Sequence, residues 1–282
     1  MKVGLGAWLA ALLAVGACEQ PQREVAGHVV STGRPIFYGQ PDTSTAHMAV
    51  VALTSGPGTG FFCSGTLISP TVVLTAAHCL EGRSPTSIEI FFGNDVYSSG
   101  EYRDVSEGAM HPDYSSQTVE NDIALVRLAT AAPSGITPIP HLPSSLGLSS
   151  SDEGSNVDFS GFGLTESNTS GVKLHVEQSI GVVCNSSGGC SYGGGYVVDA
   201  GFGYTQSGGG PCSGDSGGPA FIFRSGQEYV AGVTSYGDQY CTQYGVSTTV
   251  DRFQGWIDSF IGGGEDCENG VDDDGDGQTD CA

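Results

Sequence analysis

Apolar residues in this chain come in short runs, at 49–53, 72–74, 88–92, 123–128 and 229–233, and nowhere do they sustain a long helical period. Clusters of Gly, Ser, Pro and Asp separate them, so the runs read as strands bounded by turns. The 45 glycines and a charged fraction of only 14% agree with a turn-rich β protein rather than a helical or disordered one. The stretch 129–155, rich in Pro and Ser, reads as a crossing between two barrels, and 252–261 as one terminal helix. The expected fold class is all-β.

Three segments carry chemistry: Thr75-Ala76-Ala77-His78-Cys79, Asn121-Asp122-Ile123-Ala124-Leu125 and Gly214-Asp215-Ser216-Gly217-Gly218-Pro219. A serine hydroxyl is barely nucleophilic at neutral pH. Acyl transfer needs an imidazole to take its proton and a carboxylate to hold that imidazole in one tautomer. Ser216, His78 and Asp122 are the candidates for these roles. Gly214 and Gly217 let the backbone fold tightly around Ser216, so that the N–H groups of Gly214 and Ser216 aim at one point as an oxyanion hole.

These segments resemble the chymotrypsin-like (trypsin-fold) serine endopeptidases, whose catalytic residues follow the order His, Asp, Ser. The resemblance runs from about Ile36 to Ile261 and extends to Cys63-Ser64-Gly65-Thr66-Leu67-Ile68, Ser160-Gly161-Phe162-Gly163-Leu164 and Gly232-Val233-Thr234-Ser235-Tyr236-Gly237. It implies two six-stranded antiparallel β-barrels, about 36–140 and 150–250, with the site between them and a short C-terminal helix. It implies that Ser235 bonds near the Asp122 carboxylate, and that Ser235, Tyr236 and Gly237 form an edge strand for the substrate backbone. No cofactor is implied for catalysis, and protein or peptide substrates are. The alternative is a non-catalytic binding protein on the same fold.

By the same resemblance, Gly210 falls at the base of the primary specificity pocket and Gly237 and Gly245 at its walls. An Arg or Lys side chain would enter without a counter-ion, so the implied preference is for uncharged, large apolar or aromatic side chains. The family's members are activated by a cut whose new ammonium group pairs with the acid before the nucleophile, here Asp215. The candidate new terminus is Ile36, in Arg34-Pro35-Ile36-Phe37-Tyr38-Gly39. Pro35 blocks a tryptic cut after Arg34, so an unidentified protease cutting after Pro35 is expected, and the chain is made as a zymogen.

Residues 1–17 read as an export signal, with Lys2 ahead of an apolar run too short to span a bilayer comfortably. Val15-Gly16-Ala17-Cys18 resembles a bacterial lipobox, which implies lipidation of Cys18, membrane attachment, and a bacterial protein that is either anchored at the cell envelope or secreted. An ordinary cleavage site with a chance cysteine nearby is the alternative. Residues 18–35 are then a propeptide or linker, 36–261 the protease domain and 262–282 an acidic tail.

Cys18 apart, eight cysteines remain, and in an oxidising compartment disulfides are the default. The resemblance pairs Cys63 with Cys79 and Cys212 with Cys241. Cys184 with Cys190 and Cys267 with Cys281 are local pairings, Asp199 standing where the family has the second cysteine of a longer bridge. No C-x-x-C spacing supports a thiolate metal site.

In the tail, Asp272, Asp274, Asp276, Gln278 and Asp280 have the spacing of a calcium loop, with Gly277 at the sharp turn, and resemble thrombospondin type 3 repeats. A solvated acidic run is the competing reading. The loop 93–100 carries one acid, Asp95, and no second calcium site is expected there. The formal net charge of -22 repels nucleic acid and anionic membrane surfaces, so neither is an expected partner, and a monomer is expected.

Overall fold

Side chains at Val50–Thr54 and Val72–Thr75 are buried on both faces, which only an interior barrel strand allows, and these two strands fix the first half of the molecule. The structure, a computed structural model, describes Met1 and residues 35–262. The export signal, the propeptide up to Arg34, Cys18, the Cys267–Cys281 pairing and the tail ligands Asp272 to Asp280 lie outside the described residues.

After a two-residue strand β1 (Gln40–Pro41), the first barrel comprises β2 (Val50–Thr54), β3 (Phe61–Leu67), β4 (Val72–Thr75), β5 (Glu89–Phe92), β6 (Glu101–Met110) and β7 (Ala124–Leu128). All pairings are antiparallel, in the order β2-β3-β4-β7-β6-β5, and β5 closes on β2. Its interior is aliphatic and aromatic, with Val51, Leu53, Leu67, Leu74, Ile90, Phe91 and Leu125 all almost fully buried.

Two 3₁₀ turns, Ser144–Leu146 and Ser150–Asp152, interrupt the crossing, which leads to β8 (Asn156–Gly161) and β9 (Leu174–Cys184). A small hairpin of β10 (Cys190–Tyr192) and β11 (Gly195–Val197) follows, then β12 (Gly201–Thr205), β13 (Pro219–Arg224), β14 (Gln227–Gly237) and β15 (Tyr244–Thr249). The order β9-β12-β15-β14-β13-β8, with β8 also paired to β9, closes the second six-stranded barrel. Phe159, Ile180, Phe202, Tyr204 and Ile222 fill it. The helix Gln254–Gly262 sends Ile257 into the first barrel's core cluster. The all-β, two-barrel expectation and the short terminal helix both hold.

Between β1 and β2 the chain packs on β8 of the second barrel, where Asp42, His47 and Ser160 make a buried network. His47 Nδ1 lies 2.7 Å from Asp42 Oδ2, and the Ser160 hydroxyl donates to the same oxygen at 2.6 Å. Here the carboxylate stands between the histidine and the serine, so no base faces the hydroxyl, and all three residues are at most 5% exposed. Burial alone would lower the His47 pKa, but the Asp42 and Glu228 carboxylates outweigh it and push it up to about 9. This cluster packs and pairs; it offers nothing to a substrate.

Candidate active site

Where β4 ends, the helical turn Ala77–Leu80 buries Ala77, Cys79 and Leu80 and leaves the His78 side chain 30% exposed. A disulfide from Cys79 to Cys63 in β3 pins the turn to the barrel wall. The His78 backbone N–H donates to Asp122 Oδ1 at 2.9 Å, and His78 Nδ1 lies 2.7 Å from Asp122 Oδ2. Asp122, just ahead of β7, is wholly buried. A carboxylate only accepts, so Nδ1 carries the proton and Nε2 is left as the basic nitrogen.

The Ser235 hydroxyl donates to the same Oδ2, and the Thr248 hydroxyl donates to the Asp122 carbonyl at 3.1 Å. A buried carboxylate is tolerable only when so furnished with donors. Thr248 was not evident from sequence, because its place beside Asp122 depends on the pairing of β15 with β14 and β12.

Ser216 sits on the turn between Cys212 and Gly218. Its carbonyl accepts from the Ser64 N–H at 2.8 Å and lies 3.7 Å from Cys79 Sγ. The Ser216 loop is therefore seated on the Cys63–Cys79 bridge, whose sulfurs lie within 4.8 Å of a His78 ring nitrogen. Among the described residues, Ser216 Oγ and His78 Nε2 form no hydrogen bond with each other, a contact that commonly tightens only with substrate bound.

Gly214 has φ 100° and Gly217 φ 80°, both left-handed. A Cβ on Gly217 would lie 2.1 Å from Thr75 Oγ1 and 2.5 Å from the Ser64 carbonyl, so only glycine fits. With the turn wound this way, neighbouring amides are spent internally: Asp215 N–H on the Cys212 carbonyl, Gly217 N–H on Thr234, Gly218 N–H on Asp215. The N–H groups of Gly214 and Ser216 find no acceptor among the described residues and are free to receive an oxyanion.

Asp215 is 2% exposed, and its carboxylate takes the Gly163 N–H at 2.7 Å and the Cys212 N–H at 2.9 Å. No Lys, Arg or His among the described residues forms an ion pair with it. Burial pushes its pKa up to about 7 despite the two amides. Nearby in sequence to the candidate cut, Ile36 is completely buried yet held at φ 43°, a left-handed conformation that costs a β-branched residue roughly 1–3 kcal/mol.

β13 begins at Pro219, opposite Val233, so the end of β14 presents Ser235, Tyr236 and Gly237 with one edge free of a strand partner. The register with β15 shifts between Thr234 and Tyr236, and this bulge goes with the inward turn of Ser235 toward Asp122. Beside the edge lies a cavity of about 350 Å³ whose lining includes Tyr204, Gln206, Pro211, Ser216, Gly237 and Gly245. The Cys212–Cys241 disulfide braces its wall, and Cys184–Cys190 ties the end of β9 to the start of β10.

Gly210 is the exception among the pocket residues. It is not in the cavity lining; its N–H bonds the Phe37 carbonyl at 3.0 Å, and a Cβ there would lie 2.6 Å from the Gln206 amide nitrogen. Gln206, four residues earlier, takes the lining place that counting back from Ser216 assigns to Gly210. The turn through Gly208 and Gly209 causes the offset, folding back so that the Gly209 N–H reaches the Gln206 carbonyl at 3.1 Å.

Among the described residues no helix is long and apolar enough to cross a membrane. The family model described as Trypsin matches residues 36–257. Brachyurin of Leptuca pugilator is 32% identical over 212 residues, covering 72% of this chain and 88% of its own. Trypsin Blo t 3 of Blomia tropicalis is 31% identical over 206 residues, covering 71% of this chain and 77% of its own. Trypsin delta of Drosophila erecta is 32% identical over 203 residues, covering 69% of this chain and 77% of its own.

Proposed function

The chain belongs to the trypsin family and is a serine-type endopeptidase, and from that premise we propose that Ser216, His78 and Asp122 carry its chemistry. His78 Nε2 takes the Ser216 proton as Oγ adds to the scissile carbonyl. The N–H groups of Gly214 and Ser216 hold the resulting oxyanion. His78 then returns the proton to the leaving amine, which departs as the acyl-enzyme forms, and a water deprotonated by His78 releases the acid. The observation that carries the reading is the wholly buried Asp122 carboxylate, which spends both oxygens on His78.

The protein is made as a zymogen, and the Pro35–Ile36 bond is its activation point. Support comes from Asp215, buried without a cation at a pKa near neutrality, and from the strained Ile36. The ammonium freed by the cut supplies the missing charge. The primary pocket takes uncharged side chains, since no free carboxylate lines it. The one acid there, Asp238, accepts backbone N–H groups from Tyr240, Thr242, Gln243 and Tyr244. Three disulfides fit an exported protein, with residues 1–17 as the signal, Cys18 as its lipid anchor and the tail as a calcium loop.

The test is intact-mass and N-terminal analysis of protein recovered from medium and membranes, with and without a fluorophosphonate. A chain starting at Ile36 with one label on Ser216 is expected. A chain starting at Ile36 whose Ser216 takes no label would instead make it a binding protein on this fold.

A further inference from the structure

The Gln206 side chain lines the pocket and is only 3% exposed. Its backbone is clamped at both ends: its N–H donates to the Gln243 carbonyl at 3.0 Å, and its carbonyl accepts from Gly209. The amide nitrogen donates to the Pro211 carbonyl. A carbonyl only accepts, so this bond fixes which end of the amide is which: nitrogen toward Pro211, oxygen away from it.

The oxygen has no donor among the described residues, yet it is not sealed in the core, because Gln206 lines the cavity. It lies 3.3 Å from the point where a Cβ on Gly237 would stand, on the wall that flanks the substrate edge. Tyr204 also lines the cavity, its ring occupying the space a Cβ on Gly245 would need.

Resting on the endopeptidase reading of this cleft, we propose that Gln206 Oε1 is the specificity contact of the pocket, accepting a hydrogen bond from a neutral donor at the end of the substrate side chain. Cleavage then favours residues whose uncharged side chains end in a donor, the tyrosine phenol and the glutamine amide, over the same shapes without one. An apolar side chain drives water from Oε1 and leaves it unpaired, whereas a donor replaces that water. A lysine or arginine brings a charge that a single amide oxygen does not neutralise.

The test uses the processed protease, counted by fluorophosphonate titration, and peptides differing only at the cleaved residue. The matched pairs are Tyr against Phe, Tyr against O-methyltyrosine, and Gln against Met. The donor-bearing member is expected to win by roughly fivefold to tenfold in kcat/KM, the worth of one such hydrogen bond. In Gln206→Met the Tyr-to-Phe ratio is expected to fall toward one. O-methyltyrosine needs no variant, so it decides the matter even if Gln206→Met does not fold. Equal rates within the pairs, faster cleavage after Arg or Lys, or a ratio unmoved by Gln206→Met would overturn the proposal while leaving the endopeptidase reading intact. A processed chain that takes no label at Ser216 overturns both.

Discussion

Asp122 offers two carboxylate oxygens, and the His78 N–H, the His78 ring and the Ser235 hydroxyl all converge on them. Asp122→Asn keeps the shape but puts an NH₂ where an acceptor is needed, which favours the wrong imidazole tautomer. Its kcat is expected to fall about ten-thousandfold while the melting temperature moves little, measured on a peptide substrate after titration of active sites. Asp215 makes a prediction about pH. Its folded pKa is raised from 3.8 to about 7. Across that window the unfolded chain has lost the proton and the folded precursor has kept it, so precursor stability falls as pH rises from about 4 to about 7. Urea midpoints of a Ser216→Ala precursor should show this slope, and Asp215→Asn should flatten it. A chain cut before Ile36 should lose the slope as well, because the new ammonium group keeps the carboxylate ionised in the folded state.

The element that presents His78 is a single helical turn, too short to hold itself, and the Cys63–Cys79 bridge holds it instead. Replacing both cysteines by alanine opens a loop of 16 residues and is expected to cost about 3 kcal/mol, read from urea unfolding. Because the same bridge seats Ser216, kcat should drop as well, separating it from the Cys184–Cys190 bridge, which closes only the short loop between β9 and β10. Legibility in the sequence follows the same local logic. The runs at 49–53 and 72–74 were readable as strands because their side chains are buried on both faces. β6 was not, since Val105 is its only buried side chain and its pairing with β5 and β7, not its composition, makes it a strand. The segments around His78, Asp122 and Ser216 were readable because each matches a catalytic motif of the family, and Gly214 and Gly217 mark the tight turn at Ser216. Gln206 was not, because nothing in a polar residue's identity says that a glycine turn will fold it inward.

At the scale of the whole molecule, charge sets which substrates arrive. Of the 31 acids, eight lie from Glu265 onward, and the remaining 23 face only nine bases. Several of those bases are matched locally, Arg103 with Glu101, Arg127 with Glu107 and Arg224 with Asp152, and each pair cancels, so the field felt by an approaching chain is set by the excess of acids. Such a field raises the encounter rate of basic polypeptides and lowers that of acidic ones, and salt removes both effects, the screening length at physiological strength being about 8 Å. Peptides with one cleavable residue flanked by lysines, by glutamates or by neutral residues should therefore differ at low salt, kcat/KM being highest for the lysine-flanked peptide and lowest for the glutamate-flanked one. Raising sodium chloride from about 0.02 M to about 0.5 M should slow the first severalfold, speed the second and leave the third nearly unchanged. The dependence should sit in KM rather than kcat, since steering acts before the chemical step. A salt effect equal for all three peptides would mean that the excess charge lies where substrates do not pass.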